Sequence, residues 1–289
     1  MYFRLDRGKE AHMKYLYPEG KGKALTFSYD DAQHFDRKLV SIFNKYGLKA
    51  TFHLNSGTLS DGVTSEQYAP APEDCFFIRK SEVKDLYAGH EVACHGVEHK
   101  FLPVLTKEKQ LLEVLEDRKA LEALTDKPVH GMSYAFGAFS PAIEEVIKSV
   151  GIKYSRAVQS THDFWAPVNF LEWLPTCHHG DPDLFRLGES LLNIPDYYEL
   201  PLMYVWGHSF EFGRSNNWDL IEKFAEQMSG HDDVWYATNG EICDYITAIR
   251  NLEFSADGTK AYNPSLIAIW CDVNGTVKEI KPGETVTVV

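Results

Sequence analysis

Short apolar segments alternate with helical patterns along most of this 289-residue chain. Residues 24–29, with the sequence ALTFSY, have the almost unbroken apolar character of a strand that is buried on both faces. Residues 35–47 then place Leu39, Ile42 and Phe43 at helical spacing. Such alternation is typical of α/β folds with parallel strands, so we predict a parallel sheet covered by helices.

Seven further apolar segments have the length and the flanking turns of strands. They are residues 50–54, 90–95, 129–135, 152–158, 170–176, 199–206 and 234–238. Helical patterns lie between them, including residues 106–124 and the segment SPAIEEVIKSVG, which has Pro141 at its start. Seven or eight such steps favour a closed or nearly closed barrel, although a doubly wound open sheet fits the same alternation. Residues 56–79 lack a clear pattern, which indicates a surface excursion beside a site.

The chain changes character near residue 255. The remaining residues form short β-type segments around an Asn-Gly pair, which is a strong hairpin signal. We therefore predict a main α/β catalytic domain over residues 1–254. A short β-rich extension over residues 255–289 is expected to pack on the same domain.

Composition and charge narrow the functional classes. The formal net charge is −13, from 42 acidic and 29 basic residues, and no Lys/Arg-rich run is present, so nucleic acid is not an expected partner. No apolar tract is long enough to cross a bilayer, and no secretory signal is recognisable at the N-terminus. We expect a water-soluble, cytoplasmic protein, unless a leader was removed. The five cysteines form no CxxC pair, which favours reduced thiols, and the oligomeric state is not indicated.

Polar residues follow several predicted strands. Asp30 and Asp31 end the first strand, His95 and His99 lie in the segment HGVEH, and His208 follows a later strand. Because the carboxyl ends of parallel strands share one edge of a sheet, we expect these side chains to meet. Histidines four residues apart can face one ion, and one carboxylate completes a site with open positions. This set predicts a divalent metal ion, with Zn²⁺ favoured and Co²⁺, Ni²⁺ or Mn²⁺ as alternatives.

This set of side chains also suggests a hydrolytic reaction. A metal ion held there would activate water and polarise a carbonyl oxygen. A second carboxylate close to the ion could take a proton from the water, and a histidine on the opposite side could give one to the leaving group.

Four segments, TFSYDD, HGVEH, SYAFG and WGHSFEF, occur in that order along the chain. Together they resemble the NodB-homology polysaccharide deacetylases, carbohydrate esterase family 4, over roughly residues 20–255. The resemblance implies a distorted (β/α) barrel of about seven strands that binds a divalent metal and removes acetyl groups from amino sugars or acetylated glycans. It also implies site roles: Asp30 as general base, His208 as general acid, and Asp31, His95 and His99 as metal ligands.

The chain departs from the family pattern at two positions near these residues. Gly96 stands where the family has Ser or Thr after the first ligand histidine. Ser133 stands where the family's Arg-x-Pro-Tyr-Gly segment has the arginine that orients the base. Arg156, on the next predicted strand, is the candidate to supply a guanidinium in its place.

Five residues near the expected edge are candidates for contact with substrate. They are Tyr134, Phe136, Gly137, Trp165 and Trp206. The aromatic rings suit stacking on sugar faces, although ordinary packing is favoured for each ring taken alone. The backbone N–H of Phe136 or a neighbour could hold an oxyanion.

A second cluster of potential ligands follows the predicted strand at residues 170–176. Cys177, His178, His179 and Asp181 could form another metal site. Because Asp31 and the HGVEH histidines already complete one set, substrate contact or helix capping is the favoured interpretation.

The favoured reaction is removal of acetyl groups, more specifically N-acetyl groups, from a saccharide or glycan fragment. A first alternative is hydrolysis of another small amide or cyclic ureide at the same metal site. A second is a carbohydrate-binding protein of the same fold that is impaired in turnover, since the arginine of the family is missing. The presence of both a candidate base and a candidate acid argues against binding alone.

Overall fold

The computed structural model describes residues 13–59 and 76–289. Its strands are β1 (Met13–Leu16), β2 (Lys23–Asp30), β3 (Ala50–Leu54), β4 (Glu91–Cys94), β5 (Gly131–Ser133), β6 (Tyr154–Arg156), β7 (Cys177–His178), β8 (Leu202–His208), β9 (Val234–Tyr236), β10 (Glu253–Phe254), β11 (Lys260–Tyr262), β12 (Ile269–Val273), β13 (Thr276–Ile280) and β14 (Thr285–Thr287). The helices are α1 (Asp36–Lys45), α2 (Val83–Leu86), α3 (Lys107–Thr125), α4 (Pro141–Ser149), α5 (Leu184–Leu192), α6 (Ser209–Ser215), α7 (Trp218–Met228) and α8 (Asn239–Arg250).

The core of the fold is a parallel sheet in the order β6-β5-β4-β3-β2-β8-β7, with β9 paired to β2. The two ends of this sheet approach each other through the segment before β7. Trp173 bridges to Arg156 at one end, and the Thr176 N–H donates to the carbonyl of Tyr204 on β8 at the other. The sheet therefore curves into a half-barrel, which confirms the predicted distorted (β/α) barrel of about seven strands.

Strand β2 lies between β3 and β8 in the sheet and is buried on both faces. Phe27 and Tyr29 point outward and pack on Phe43 of α1, with ring centroids 4.7 and 5.8 Å apart. Because side chains alternate along a strand, Thr26 and Asp30 face the interior of the barrel. The apolar outer face anchors the strand, and the inner face carries polar groups to the end of the barrel.

The prediction of a strand over residues 170–176 is wrong. Residues Phe170–Glu172 form a short 3-10 turn, because the side chain of Asn169 accepts the N–H of Leu171 at 3.0 Å. Only Trp173 makes a bridge to the sheet. The strand that does add to the sheet here is β7, of two residues, and the three helices α5, α6 and α7 were not predicted.

Part of the predicted surface excursion lies outside the described residues, which leave out 60–75. Cys75 falls in that gap, whereas the other four cysteines are buried free thiols. Among the helices of the described ranges, none is long and apolar enough to cross a membrane.

The C-terminal segment forms two small antiparallel sheets with other parts of the chain. The hairpin β12–β13 turns at Asn274 and Gly275, whose φ angles of 54° and 81° suit a two-residue turn of the mirror-image type. Strand β12 also pairs with β1 near the start of the chain, in the order β1-β12-β13. The division into residues 1–254 and 255–289 stays a prediction.

The buried carboxyl of Asp36 should make the free energy of unfolding depend on pH. Burial raises the pKa of Asp36 to about 7, although the hydroxyls of Ser209 and Tyr87 donate to it. The folded state therefore favours the protonated form, and this contribution is lost as the pH rises from about 4 to about 7. At about 1.4 kcal/mol per pKa unit, the loss is on the order of 4 kcal/mol.

Asp36→Asn should remove this part of the pH dependence, since an amide does not ionise. The test is urea denaturation at pH 5 and at pH 8, with the exposed Asp232→Asn as the control. The wild type and the control should both lose stability between these pH values, and Asp36→Asn should lose clearly less. An equal loss in all three proteins would contradict the assignment.

Candidate active site

The candidate residues gather at the carboxyl ends of β4, β2 and β8, with β3 between the first two of these strands. Asp30 is the last residue of β2, and the chain turns at Asp31, whose φ is 80°. His95 follows β4 directly, and His208 is the last residue of β8. The register pairs Asp30 with His208 across β2 and β8. The edge of the sheet thus brings together side chains that are far apart in the sequence.

The ligand atoms of Asp31, His95 and His99 converge. The Oδ1 of Asp31 lies 3.6 Å from the Nε2 of His95 and 3.8 Å from the Nε2 of His99, and the three ligand atoms lie within 4.8 Å of one another. Asp31 and His99 both have left-handed backbone conformations, with φ of 80° and 55°. Such strain in residues other than glycine is common at functional sites, and here it points both side chains at the same place.

The orientation of His95 fits a metal ligand. Its Nδ1–H donates to the carbonyl of Ser133 at 2.9 Å, which leaves a lone pair on Nε2. This Nε2 is buried, has no hydrogen-bond partner among the described residues, and lies 3.5 Å from Asp30 and 3.6 Å from Asp31. Lone pairs that face each other in this way repel unless a cation lies between them. The donor set therefore fits a divalent metal ion.

Buried carboxylates on α3 hold the loop between His95 and His99. Asp117 accepts the N–H groups of His95 and Gly96, both at 3.0 Å, and Glu113 accepts the N–H of Glu98 at 2.7 Å. A side chain at Gly96 would lie 2.9 Å from the Oε1 of Glu113, and its φ of 84° also favours glycine. These contacts fix the loop although position 96 has no hydroxyl, and neither carboxylate was singled out from the sequence.

Asp30 is buried beside a guanidinium. The Nη2 of Arg156 donates to the Oδ2 of Asp30, and the hydroxyl of Ser133 donates to its Oδ1 at 3.3 Å. Burial by itself would raise the pKa of Asp30, but Arg156 and His95 outweigh it and hold this pKa well below its usual range. Asp30 is therefore a carboxylate with a fixed orientation.

Arg156 reaches Asp30 from β6, the strand beside β5, and β5 carries the position where the family has its arginine. It lies on β6 opposite Ser133 on β5, and both face the interior of the barrel. Its guanidinium is fully buried and stacks on the ring of Trp206, 4.4 Å from the ring centroid. Ser133 is small enough to leave this space to Arg156, and its hydroxyl also contacts the Nδ1 of His95 at 2.7 Å.

His208 lies on the opposite side of Asp31 from the HGVEH histidines. Its Nε2 is 4.0 Å from the Oδ2 of Asp31, and its Nδ1 is 3.4 Å from the Oε1 of Glu211. Burial disfavours the charged imidazole, but Glu211, Asp30 and Asp31 outweigh this effect and raise the pKa of His208. Glu211 was not identified from the sequence, although its position three residues after His208, one helical turn away, is a usable signal.

The second predicted cluster is arranged differently from the prediction. His178 and His179 each place Nε2 3.0 Å from the Oε2 of Glu211, and the pKa of Glu211 is held well below its usual range by these histidines against the effect of burial. Asp181 pairs instead with His162 at 2.7 Å, while Cys177 is buried in the core.

Three ligand atoms of His178, His208 and Glu211 also lie within 4.8 Å of one another. The Nδ1 of His178, however, accepts the N–H of Gly180 at 3.0 Å, which assigns the proton to Nε2. That nitrogen therefore donates to Glu211 and is not free to bind a metal. The geometry favours a hydrogen-bonded group around Glu211.

The predicted substrate residues are divided between two places. Phe136 is 63 % exposed, has a φ of 61°, and lies edge-on to His99 with ring centroids 4.6 Å apart. Gly137 follows it with a φ of 70°, and a side chain there would collide with Val158 at 2.4 Å. Tyr134 is buried, and its hydroxyl donates to the carbonyl of Leu171, so it does not reach the edge.

The remaining two candidates, Trp206 and Trp165, lie at opposite ends of β8. Trp206 is half-buried beneath His208 and supports the guanidinium of Arg156. Trp165 lies near the amino end of β8, because the carbonyl of the preceding Phe164 accepts the N–H of Leu202. The structure therefore does not bring Trp165 to the edge that holds Asp31.

Comparison with protein-family models gives one match over these residues. The model for polysaccharide deacetylases matches residues 18–155, a range that includes the DD pair, the HGVEH segment and Ser133. Residues 18–155 are therefore similar to polysaccharide deacetylases, which confirms the resemblance seen in the sequence. No curated protein sequence matches the chain.

Solved structures with the same fold include proteins assigned as polysaccharide deacetylases and an allantoinase. A protein assigned as a polysaccharide deacetylase from Mycobacterium smegmatis superposes with a TM-score of 0.59 at 16 % identity, over 82 % of this chain and 94 % of that one. A protein assigned as a polysaccharide deacetylase from Pseudomonas aeruginosa superposes with a TM-score of 0.58 at 14 % identity, over 78 % of this chain and 91 % of that one. PuuE allantoinase superposes with a TM-score of 0.56 at 13 % identity, over 78 % of this chain and 91 % of that one. At such identities these likenesses show the fold alone.

Proposed function

We infer that this chain is a metal-dependent hydrolase that removes acetyl groups, chiefly N-acetyl groups, from a saccharide or glycan fragment. One observation carries the proposal. The ligand atoms of Asp31, His95 and His99 converge within 4.8 Å of one another, with Asp30 on one side and His208 on the other. The similarity of residues 18–155 to polysaccharide deacetylases supports the class of reaction.

The metal would be held by one carboxylate and two imidazoles, for which Zn²⁺ is favoured. Such an ion supplies a water of lowered pKa and polarises the acetyl carbonyl. Among the chain's own groups, Ser133 fixes the Nδ1–H of His95, so that its Nε2 lone pair faces the ion.

Asp30 is assigned as the general base. It is next to the ligand Asp31, but its own oxygens are engaged by Arg156 and Ser133, so it is oriented without being a ligand. Its role is to accept the proton that the attacking water loses. Arg156 is assigned as the group that holds this carboxylate in place.

His208 is assigned as the general acid. Its Nδ1 faces Glu211, which directs Nε2 toward Asp31 and the expected position of the substrate. Protonated His208 would deliver a proton from Nε2 to the departing amine. The N–H of Gly137 already donates to Tyr134 at 2.8 Å, so the N–H of Phe136 is the better candidate to hold the oxyanion.

The activity is tested by acetate release from a panel of substrates. Chelated protein and zinc-reloaded protein would be compared on N-acetylglucosamine oligomers, O-acetylated xylose oligomers and the cyclic ureide allantoin. We expect acetate from the N-acetylated oligomers with reloaded protein alone. Hydrolysis of the ureide alone would favour the first alternative, and tight saccharide binding without any turnover would favour the second.

Glu211→Gln should lower turnover without loss of the metal. The amide cannot hold the imidazole of His208 by charge, so we expect kcat for acetate release to fall roughly 10- to 100-fold. The bound metal, measured by elemental analysis, should stay at the wild-type level because Glu211 contacts no proposed ligand. Glu226→Gln, an exposed change on α7, is the matched control. Loss of the metal in Glu211→Gln, or unchanged kcat, would contradict the assignment.

A further inference from the structure

Three aromatic rings form a continuous stack on the surface, far from the candidate active site. Trp165 stacks on Tyr198 with centroids 5.1 Å apart and planes 27° apart, and Tyr198 stacks on Tyr197 at 5.0 Å and 30°. Trp165 is 40 % exposed and Tyr197 is 81 % exposed. We call these three residues the aromatic platform. Exposed aromatic groups of this kind often mark an interaction site.

The platform is built on well-anchored backbone. The carbonyl of Phe164 accepts the N–H of Leu202 at 2.8 Å, and the hydroxyl of Tyr17 donates to the carbonyl of Leu200 at 2.8 Å. The N–H of Tyr198 donates to the carbonyl of Pro195 at 3.0 Å. Because the rings are already placed before a ligand arrives, little conformational entropy is lost on binding.

The platform lies at the opposite end of the barrel from the candidate metal ligands. It adjoins Leu202 at the amino end of β8, whereas His208 is at the carboxyl end of the same strand. Six residue steps of about 3.3 Å separate these ends by roughly 20 Å. The platform is therefore not part of the catalytic site, and a ligand that touches both must be a chain of several units.

The charges around the platform favour a cationic ligand. Exposed carboxylates lie one or two positions from the rings in the sequence, at Asp163, Asp196 and Glu199, and the whole chain carries a net charge of −13. The carboxylate of Glu199 also accepts the N–H of Tyr15 at 3.1 Å. The nearby ammonium of Lys14 donates to the backbone carbonyl of Asp196. Aromatic faces attract ammonium groups, and adjacent carboxylates strengthen that attraction. The same charge opposes stacking of nucleic-acid bases, since phosphates would be repelled.

We propose that the aromatic platform binds a saccharide chain that carries free amino groups, such as a partly deacetylated amino-sugar oligomer. This rests on the proposed function, because the proposed reaction produces such amines. The exposed ring of Tyr197 at the end of the stack packs on a sugar unit, while Asp163 and Asp196 attract the ammonium groups. A chain held at the platform keeps its acetylated units at high effective concentration near the active site.

The test measures binding by calorimetry in an Asp30→Asn background, so that no substrate is consumed. The probes are a glucosamine hexamer and an N-acetylglucosamine hexamer. We expect the glucosamine hexamer to bind more tightly, and to bind at least tenfold more weakly after Trp165→Ala with Tyr197→Ala, or at high salt. Tyr197→Ala alone serves if the double change fails to fold, and Tyr262→Ala, another exposed tyrosine, is the matched control.

Three outcomes overturn the proposal. Equal binding of the two hexamers shows that free amines are not recognised. If the substitutions in the platform leave binding unaffected, the ligand lies elsewhere. A shift in sedimentation caused by Tyr197→Ala shows that a second copy of the chain covers the rings. In protein that retains Asp30, acetate release from a short N-acetylated substrate should be unchanged by Tyr197→Ala. Absence of acetate release in every protein that retains Asp30 would contradict the proposed function, whereas the binding measurements test the platform by themselves.

Discussion

Asp30→Asn should reduce acetate release by a factor of about 1,000 while the protein still binds its metal. Asp30 is 3 % exposed and oriented by Arg156 and Ser133, and the proposed metal ligand is its neighbour Asp31. An amide keeps the size of the side chain but cannot accept the proton. The measurements are kcat for acetate release and the metal content of the same sample.

The matched control for this change is Asp232→Asn, which alters an exposed carboxyl. It should leave both quantities unchanged. Thermal unfolding of Asp30→Asn is needed as well, because the guanidinium of Arg156 is then buried without its carboxylate. Activity retained within tenfold in a folded, metal-bound Asp30→Asn protein would show that another group is the base.

Arg156→Met should destabilise the protein by about 3–5 kcal/mol and also lower acetate release. Arg156 is fully buried, and its guanidinium is shared between Asp30 and the ring of Trp206. Removing it leaves a buried carboxylate without its cation, and methionine of similar length cannot replace the hydrogen bonds. Urea denaturation gives the stability, and kcat gives the effect on the base.

Two further variants separate positioning from charge. Arg156→Lys keeps the positive charge but loses the planar stacking on Trp206, so partial recovery is expected. The double change Ser133→Arg with Arg156→Ser moves the guanidinium to the strand where the family has it. If this exchange restores activity relative to Arg156→Met, the guanidinium and not the particular strand is what Asp30 requires. A fully active and stable Arg156→Met protein would contradict the role.

The sequence predicted those strands that contain long apolar runs. Residues 24–29 and 50–54 lie within or coincide with β2 and β3, because both strands are buried on both faces and neither segment contains Asp, Glu, Lys, Arg, Gly or Pro. The segment 170–176 is equally apolar, yet Asn169 turns the chain at its start. A single capping contact of this kind outweighs composition and is not visible in hydrophobic pattern alone.

The prediction of the candidate site rests on one rule, and it fails for residues to which that rule does not apply. Residues at the carboxyl ends of parallel strands meet, which brings Asp31, His95 and His208 together. Glu211 was missed because it lies on α6, beyond the end of a strand. Trp165 was placed at the wrong end of the barrel because a loop between strands can travel back along the sheet, which the sequence does not reveal.

The most direct test of this account is a titration of chelated protein with Zn²⁺, in which bound metal and acetate release are measured together. We predict that activity rises in proportion to bound metal and reaches its plateau at one ion per chain. Asp31→Asn and His99→Gln should each abolish both. Full activity in chelated protein, or an ion that binds equally well after both changes, would contradict the central claim that Asp31, His95 and His99 hold the metal used in hydrolysis.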